Sequence, residues 1–190
     1  VTGSDAPVRR EEIETAAEKQ KTKPEGFKDF RRMLDSKNID AVVVSTPDHW
    51  HAIISIAAAN AGKDIFCEKP LSHRLGEGIA MVNAVQKNQR IWQTGSWQRS
   101  VASFRWAVEL VQNGYIGKVT RVEVGLPSGH ADFGKTGKDQ PDGPVPTGVD
   151  FEMWTGPAMM KPFNACRFHK NWRWDYNTGG GQLMDWIGHH

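Results

Sequence analysis

Short runs of β-branched residues alternate along this chain with longer stretches in which apolar residues return every third or fourth position. Asp40 to Ser45 is such a run, and its continuous character predicts a strand buried on both faces, as in a parallel sheet. Shorter strands are predicted at Asp64 to Cys67 and Ile91 to Thr94. Between them, helices are predicted over 50–61, stopping at Gly62, and over 73–88, where Leu75, Ile79, Val82 and Val85 keep helical spacing and Ser72 is placed to cap. Before the first strand, 8–22 reads as a polar, solvated helix and 27–36 as a second helix on Phe30, Met33 and Leu34. After the last strand, 102–113 reads as a helix on Phe104, Val108 and Val111.

Strand and helix alternate up to about residue 117, which predicts an α/β fold with a parallel, Rossmann-like sheet and helices on both faces. The character then changes. Thr120, Val122, Val124 and Leu126 alternate with polar neighbours, predicting a strand with one wet face. A Gly-, Pro- and Asp-rich stretch (127–150) and a Trp-rich segment follow, and Gly179 to His190 reads as a loop entering a helix. A domain boundary is expected near 117, with 1–117 one domain and 118–190 the start of a second α/β domain with an open sheet.

Composition narrows the function classes. Net charge is +2, from 24 Lys+Arg against 22 Asp+Glu, too balanced for a nucleic-acid surface. No apolar run is long enough to cross a membrane as a helix. Two cysteines, Cys67 and Cys166, make neither a disulfide framework nor a four-cysteine zinc site, so a reducing, cytoplasmic location is expected. The chain does not open with Met, so an export signal could precede Val1.

Three places could carry chemistry. Ser45-Thr46-Pro47-Asp48-His49-Trp50-His51 lies where a strand ends and a helix begins, the position at which open α/β sheets bind ligands. It also reads as a plain turn capped by Thr46 or Asp48, or as half of a metal site at His49 and His51, for which no third ligand stands at a recognisable spacing. Cys67-Glu68-Lys69-Pro70 ends another strand. A lysine held there can donate to a substrate oxygen, and Pro70 is a candidate for a preceding cis bond. In Gly179-Gly180-Gly181 followed by Asp185 and His189, a helix would put the last two on one face, as a base with its carboxylate or as a surface ion pair. No G-x-G-x-x-G is present.

Taken in order, Ser45-Thr46-Pro47 with His51, Glu68-Lys69-Pro70, Gly95 with Gln98-Arg99, Gly114 with Gly117-Lys118-Val119, and Gly179-Gly180-Gly181 with Asp185 and His189 resemble the Gfo/Idh/MocA family of NAD(P)-dependent oxidoreductases. The wording around Pro47 to His51 and Trp172 to Tyr176 is most similar to a sugar-acting branch. The resemblance implies hydride transfer between a sugar or polyol hydroxyl carbon and NAD or NADP, NAD being favoured, in an enzyme that forms homo-oligomers. It implies cofactor contacts from Asp5, Thr46, Pro47, His49, His51, Glu68, Lys69 and Gln98, a catalytic group of Lys69, Asp185 and His189, a substrate contact from Arg173, and no metal. Two other readings stand beside it: an NAD-dependent glycoside hydrolase acting by transient oxidation and elimination, and a non-catalytic fragment. The resemblance also places a first strand and glycine loop before Val1 and most of the second sheet beyond His190.

Overall fold

The computed structural model describes residues 14–20, 22–125 and 140–189. Residues 14–19 form a helix (α1); the rest of the polar helix expected over 8–22 falls mostly outside the described residues, as does Asp5. Helix α2 (Phe30–Leu34) begins where the Asp29 carboxylate accepts the Arg31 N–H at 2.9 Å, and buries Phe30 and Leu34 one turn apart.

The three expected strands form: β1 (Ala41–Val44), β2 (Asp64–Glu68) and β3 (Trp92–Gly95). They make one parallel sheet in the order β1-β2-β3, with Val44 opposite Cys67 and Glu68 opposite Gly95. This is the alternating β-α-β pattern of a Rossmann domain. Helix α3 (Asp48–Asn60) joins β1 to β2, and α4 (Leu75–Lys87) joins β2 to β3. Trp50, Ile54, Ala58 and Ala59 of α3 pack on Val42, Val44, Ile65 and Cys67, the alanines letting helix and sheet backbones come close.

Four sequence expectations are corrected. The β1 run is buried on one face only: Val42 and Val44 point into the core while Val43 is 65% exposed. Among the described residues, α3 lies on one side of β1 and nothing comparable covers the other. In α4, the stripe Leu75, Ile79 and Val82 faces solvent. The buried side carries Gly78 and Met81, with Ala84 and Val85 partly buried, because this is the side that α4 turns to α3 and the core. Its start is fixed by the Glu77 carboxylate, which accepts from the His73 and Arg74 amides, while Ser72 donates its hydroxyl to the Arg74 carbonyl instead of capping. Residues 120–125 are not a strand, and Val122 and Val124 are both over three-quarters exposed. An alternating segment becomes a strand only beside another strand that takes up its N–H and C=O groups, and no strand lies beside it among the described residues.

Helix α5 (Ala102–Gln112) forms as expected but buries no residue. In the second half, α6 (Phe151–Thr155) and α7 (Ala165–Phe168) are capped by Asp150 and Asn164, whose side chains accept from Met153 and Cys166 amides. Phe151, Trp154, Phe163 and Phe168 form an aromatic cluster with ring centroids 4.9–6.2 Å apart. Helix α8 (Gly181–Ile187) closes the described chain.

Candidate active site

The carboxyl ends of β1, β2 and β3 bring Thr46, Glu68 to Pro70 and, through the short 3-10 turn Trp97–Ser100, Gln98 to one edge of the sheet. In a parallel sheet this edge is the ligand-binding one. The Lys69–Pro70 bond is cis. Glu68 lies over Gly95, where a Cβ would stand 2.7 Å from a carboxylate oxygen, so the close approach of the two strand ends depends on that glycine. Thr46 Oγ1 and Gln98 Oε1 are buried at this edge without a hydrogen-bond partner in the protein. Buried polar atoms are ordinarily satisfied, so two such atoms at the ligand edge fit the polar groups of a bound nucleotide.

The second half of the chain meets this edge at Lys69. Its ammonium donates to Asp185 Oδ1 at 2.7 Å and to the Asp185 carbonyl at 2.8 Å, with both side chains less than one-fifth exposed. Arg173 Nε stands 3.5 Å from the same carboxylate oxygen, while the Arg173 guanidinium lies over the Trp172 ring at 4.4 Å. Gly188 packs against the Lys69 stem: a Cβ there would sit 3.3 Å from Lys69 Cβ. His189 is not on the helix with Asp185. Helix α8 ends at Ile187, the His189 N–H bonds the Trp186 carbonyl at 3.1 Å in a tighter turn, and the imidazole lies edge-on to Trp97 with centroids 6.1 Å apart. Asp185 is therefore paired with Lys69 and Arg173, and Trp97, next to Gln98, brings the His189 ring to the same sheet edge.

His49 and His51 are placed differently from the other expected cofactor contacts. Both are almost fully buried and each ring lies between two backbone carbonyls. His49 has Nε2 2.9 Å from the Trp154 carbonyl and Nδ1 3.2 Å from that of Thr178. His51 has Nδ1 2.7 Å from the Pro70 carbonyl and Nε2 2.9 Å from that of Thr46. Burial holds both pKa values below the ordinary histidine range, outweighing the carbonyls, which favour the protonated form. With their nitrogens facing protein carbonyls, the two rings brace the edge from behind: His51 ties the end of β1 to the cis-proline turn, and His49 ties α3 to the second half. Trp50 adds to the second tie, its indole N–H donating to the Trp154 carbonyl at 2.9 Å. Pro47 is the N-cap residue of α3.

From the sequence alone, Asp48 is only a candidate helix cap. In the structure it is 4% exposed and faces the catalytic candidates. Burial first, and the Asp185 carboxylate second, push it up to about 7; the Lys69 and Arg173 cations and the Gly180 amide, which donates to it, pull the other way. No signal near Asp48 in the chain announces this, because its partners come from the turn after β2 and from the far end of the sequence. Among the described residues, no group of three or more His, Cys, Asp or Glu side chains is arranged to hold a metal ion.

Comparison with known proteins agrees with this geometry. Residues 7–96 match the model of an oxidoreductase family with an NAD-binding Rossmann fold, and residues 101–190 match that of the same family's C-terminal alpha/beta domain. The chain belongs to the Gfo/Idh/MocA family. It is 37% identical over 91 residues to a levoglucosan dehydrogenase of Pseudarthrobacter phenanthrenivorans, covering 48% of this chain and 23% of that protein. It is 38% identical over 92 residues to a myo-inositol 2-dehydrogenase of Thermotoga maritima, covering 48% and 28%. Among solved structures, it is similar to a levoglucosan dehydrogenase in complex with NADH and levoglucosan, with a TM-score of 0.53 and 30% identity over 61% of this chain and 30% of that one. The apo scyllo-inositol dehydrogenase of Lactobacillus casei gives 0.52 and 31% over 58% and 32%. The chain thus spans about a quarter to a third of the length of the relatives it matches.

Proposed function

We propose that the protein is an NAD(P)-dependent dehydrogenase that moves a hydride between a sugar or polyol hydroxyl carbon and the nicotinamide. The observation that carries this reading is the meeting of Lys69, at the ligand edge of the sheet, with Asp185 from α8 at 2.7 Å. A cation and a carboxylate from distant parts of the chain, both largely shielded from water, make a site in which charge developing on a substrate oxygen is strongly felt. Thr46, Glu68, Lys69 and Gln98 would hold the cofactor, which supplies the hydride acceptor when bound. Lys69 would hold the reacting oxygen by its ammonium. His189 would take the hydroxyl proton at a ring nitrogen, with Asp185 and Arg173 setting the charge around it. On this reading the first domain runs to about residue 117, and Arg173 stands close enough to Asp185 to reach substrate from the second. The similarity to levoglucosan and inositol dehydrogenases supports a polyhydroxylated substrate, and favours the dehydrogenase over the glycoside hydrolase reading.

The test is formation of NADH or NADPH at 340 nm by the whole protein over a panel of sugars and polyols. Activity is expected with at least one polyhydroxylated ring. K69A and H189A should each lower turnover by about a hundredfold or more, the usual loss for a charge-stabilising donor or general base. NAD binding, followed by fluorescence, should survive H189A. Near-wild-type turnover in either variant, or release of an aglycone without net cofactor reduction, would remove this mechanism.

A further inference from the structure

Three consecutive residues of the loop that leads into α8 are gripped by side chains or amides from the first half of the chain. The Thr178 carbonyl accepts the His49 N–H at 3.3 Å, with His49 Nδ1 at 3.2 Å from the same oxygen. The Gly179 carbonyl stands 3.2 Å from His73 Nε2, which donates to it. The Gly180 N–H donates to the Asp48 carboxylate. Gly180 is the N-cap residue of α8, so whatever holds its amide sets where that helix starts and where Asp185, just over one turn on, points. Of the three grips, only the one at Gly180 acts on the helix itself, and only it comes from a side chain that also stands beside Lys69 and Asp185.

We propose that Asp48 is a positioning residue for the Lys69–Asp185 pair, holding the start of α8 through the Gly180 amide and setting the charge around the pair. The charged and titratable groups that face it are Lys69 and Cys67 from β2 and its following turn, and Asp185 and Arg173 from the second half. Two carboxylates against two cations leave the cluster neutral when all four are ionised. Protonation of Asp48 near neutral pH would leave it with one excess positive charge. The inference deepens the dehydrogenase reading, and its catalytic part rests on that reading.

The two parts separate by comparing D48N with D48A in the whole protein. Asparagine keeps an oxygen to accept from Gly180 but cannot ionise, and it removes a buried charge, so it is expected to fold. Hydrogen exchange tests the grip without any activity: the peptide covering 178–186 should exchange at least fivefold faster in D48A and be unchanged in D48N. Turnover should fall about tenfold in D48A and be restored to within about threefold in D48N, with the Kd for NAD within twofold throughout. A buried scaffold residue would not move the pH profile. Here D48N removes a carboxylate that faces Lys69, Asp185 and Arg173, so the pH of half-maximal kcat should move down by at least half a unit. Equal exchange in D48A, D48N and wild type overturns the grip. Should D48A fail to fold, an unmoved pH profile in D48N overturns the charge role. A wild-type protein with no dehydrogenase activity but with the expected exchange contrast would sink the functional reading and leave the grip standing.

Discussion

Gly156, in the second half of the chain, packs against Trp50 of the first, and replacing it with alanine tests how the two halves are locked. The residue has φ +49° and ψ −119°, a conformation that L side chains rarely adopt. Its α-carbon also faces the Trp50 indole: a Cβ would overlap the six-membered ring, 2.1 Å from Cζ2 and 2.4 Å from Cε2, and even Cη2 would be 2.8 Å away. Trp50 cannot simply retreat. Its other side packs edge-on to Phe30 with centroids 5.8 Å apart, and its N–H is committed to the Trp154 carbonyl, which also accepts from His49.

Three costs therefore add in G156A. Forcing an alanine into this backbone region costs about 1–3 kcal/mol. Overpacking against a ring that is held on two sides costs about 1–3 kcal/mol. Loss of the indole hydrogen bond adds about 0.5–1.5 kcal/mol if the ring swings away. The expected destabilisation is about 2–6 kcal/mol if the ring stays in place, and up to about 7.5 kcal/mol if it swings away. Gly62 supplies the control: its φ is +76°, but a Cβ there meets nothing within 4 Å, so G62A carries only the backbone cost, about 1–2 kcal/mol. Urea denaturation followed by tryptophan fluorescence reads both variants. If G156A loses no more stability than G62A, the overlap with Trp50 is not a constraint and the lock between the halves is not built as described.

Other measurements bear on the buried titratable groups. Asp48 is pushed from 3.8 up to about 7, so the folded state holds a proton that the unfolded chain has released between those values, and stability falls as pH rises through that window. D48N lacks this dependence. Its advantage over wild type should grow from pH 4 to pH 7 by up to about 4 kcal/mol, at about 1.4 kcal/mol per pH unit, and level off above; a constant difference at pH 4.5 and 8 would contradict the burial of an ionisable Asp48. In the D48N background the depressed His49 and His51 should show the opposite slope. The unfolded chain takes up protons at about 6.5 and the folded one only lower, so stability is kept above that pH and lost as pH falls below it; a flat denaturation midpoint from pH 7.5 to 5 would count against this. Burial pushes the Cys67 thiol up to about 12, whereas Cys166 is half-buried, so a thiol reagent should label Cys166 first and reach Cys67 only as fast as the protein opens. Equal labelling rates would mean that β2 is not in the core.

What could be read from the chain, and what could not, divides according to where the partners of each residue lie. The three strands and the helices between them were legible because their signals are local: β-branched runs, an Ala-rich helix, a left-handed glycine at 62. The segment 120–125 carried an equally clear alternation and failed, because a strand is a statement about a neighbour and the chain near it says nothing of one. The same holds within the site. Lys69 and Asp185 were legible as residue types at the ends of elements, but their pairing through a 2.7 Å contact was not, and the expected partner of Asp185, His189, lies past the end of the helix. The family resemblance implies cofactor contacts from His49 and His51; in the structure each ring is enclosed by two carbonyls, some supplied from far along the chain. Asp48 carries the argument furthest. As a residue in the first turn of α3 it complements the helix dipole, and local reasoning stops there satisfied. Its partners Asp185, Arg173 and Gly180 all come from the other end of the sequence. A carboxylate that already has a local role in the sequence is therefore where a second, tertiary role is easiest to overlook, and D48N tests both, since asparagine keeps an oxygen that can accept from Gly180 but carries no charge for the helix dipole or for the Lys69–Asp185 pair.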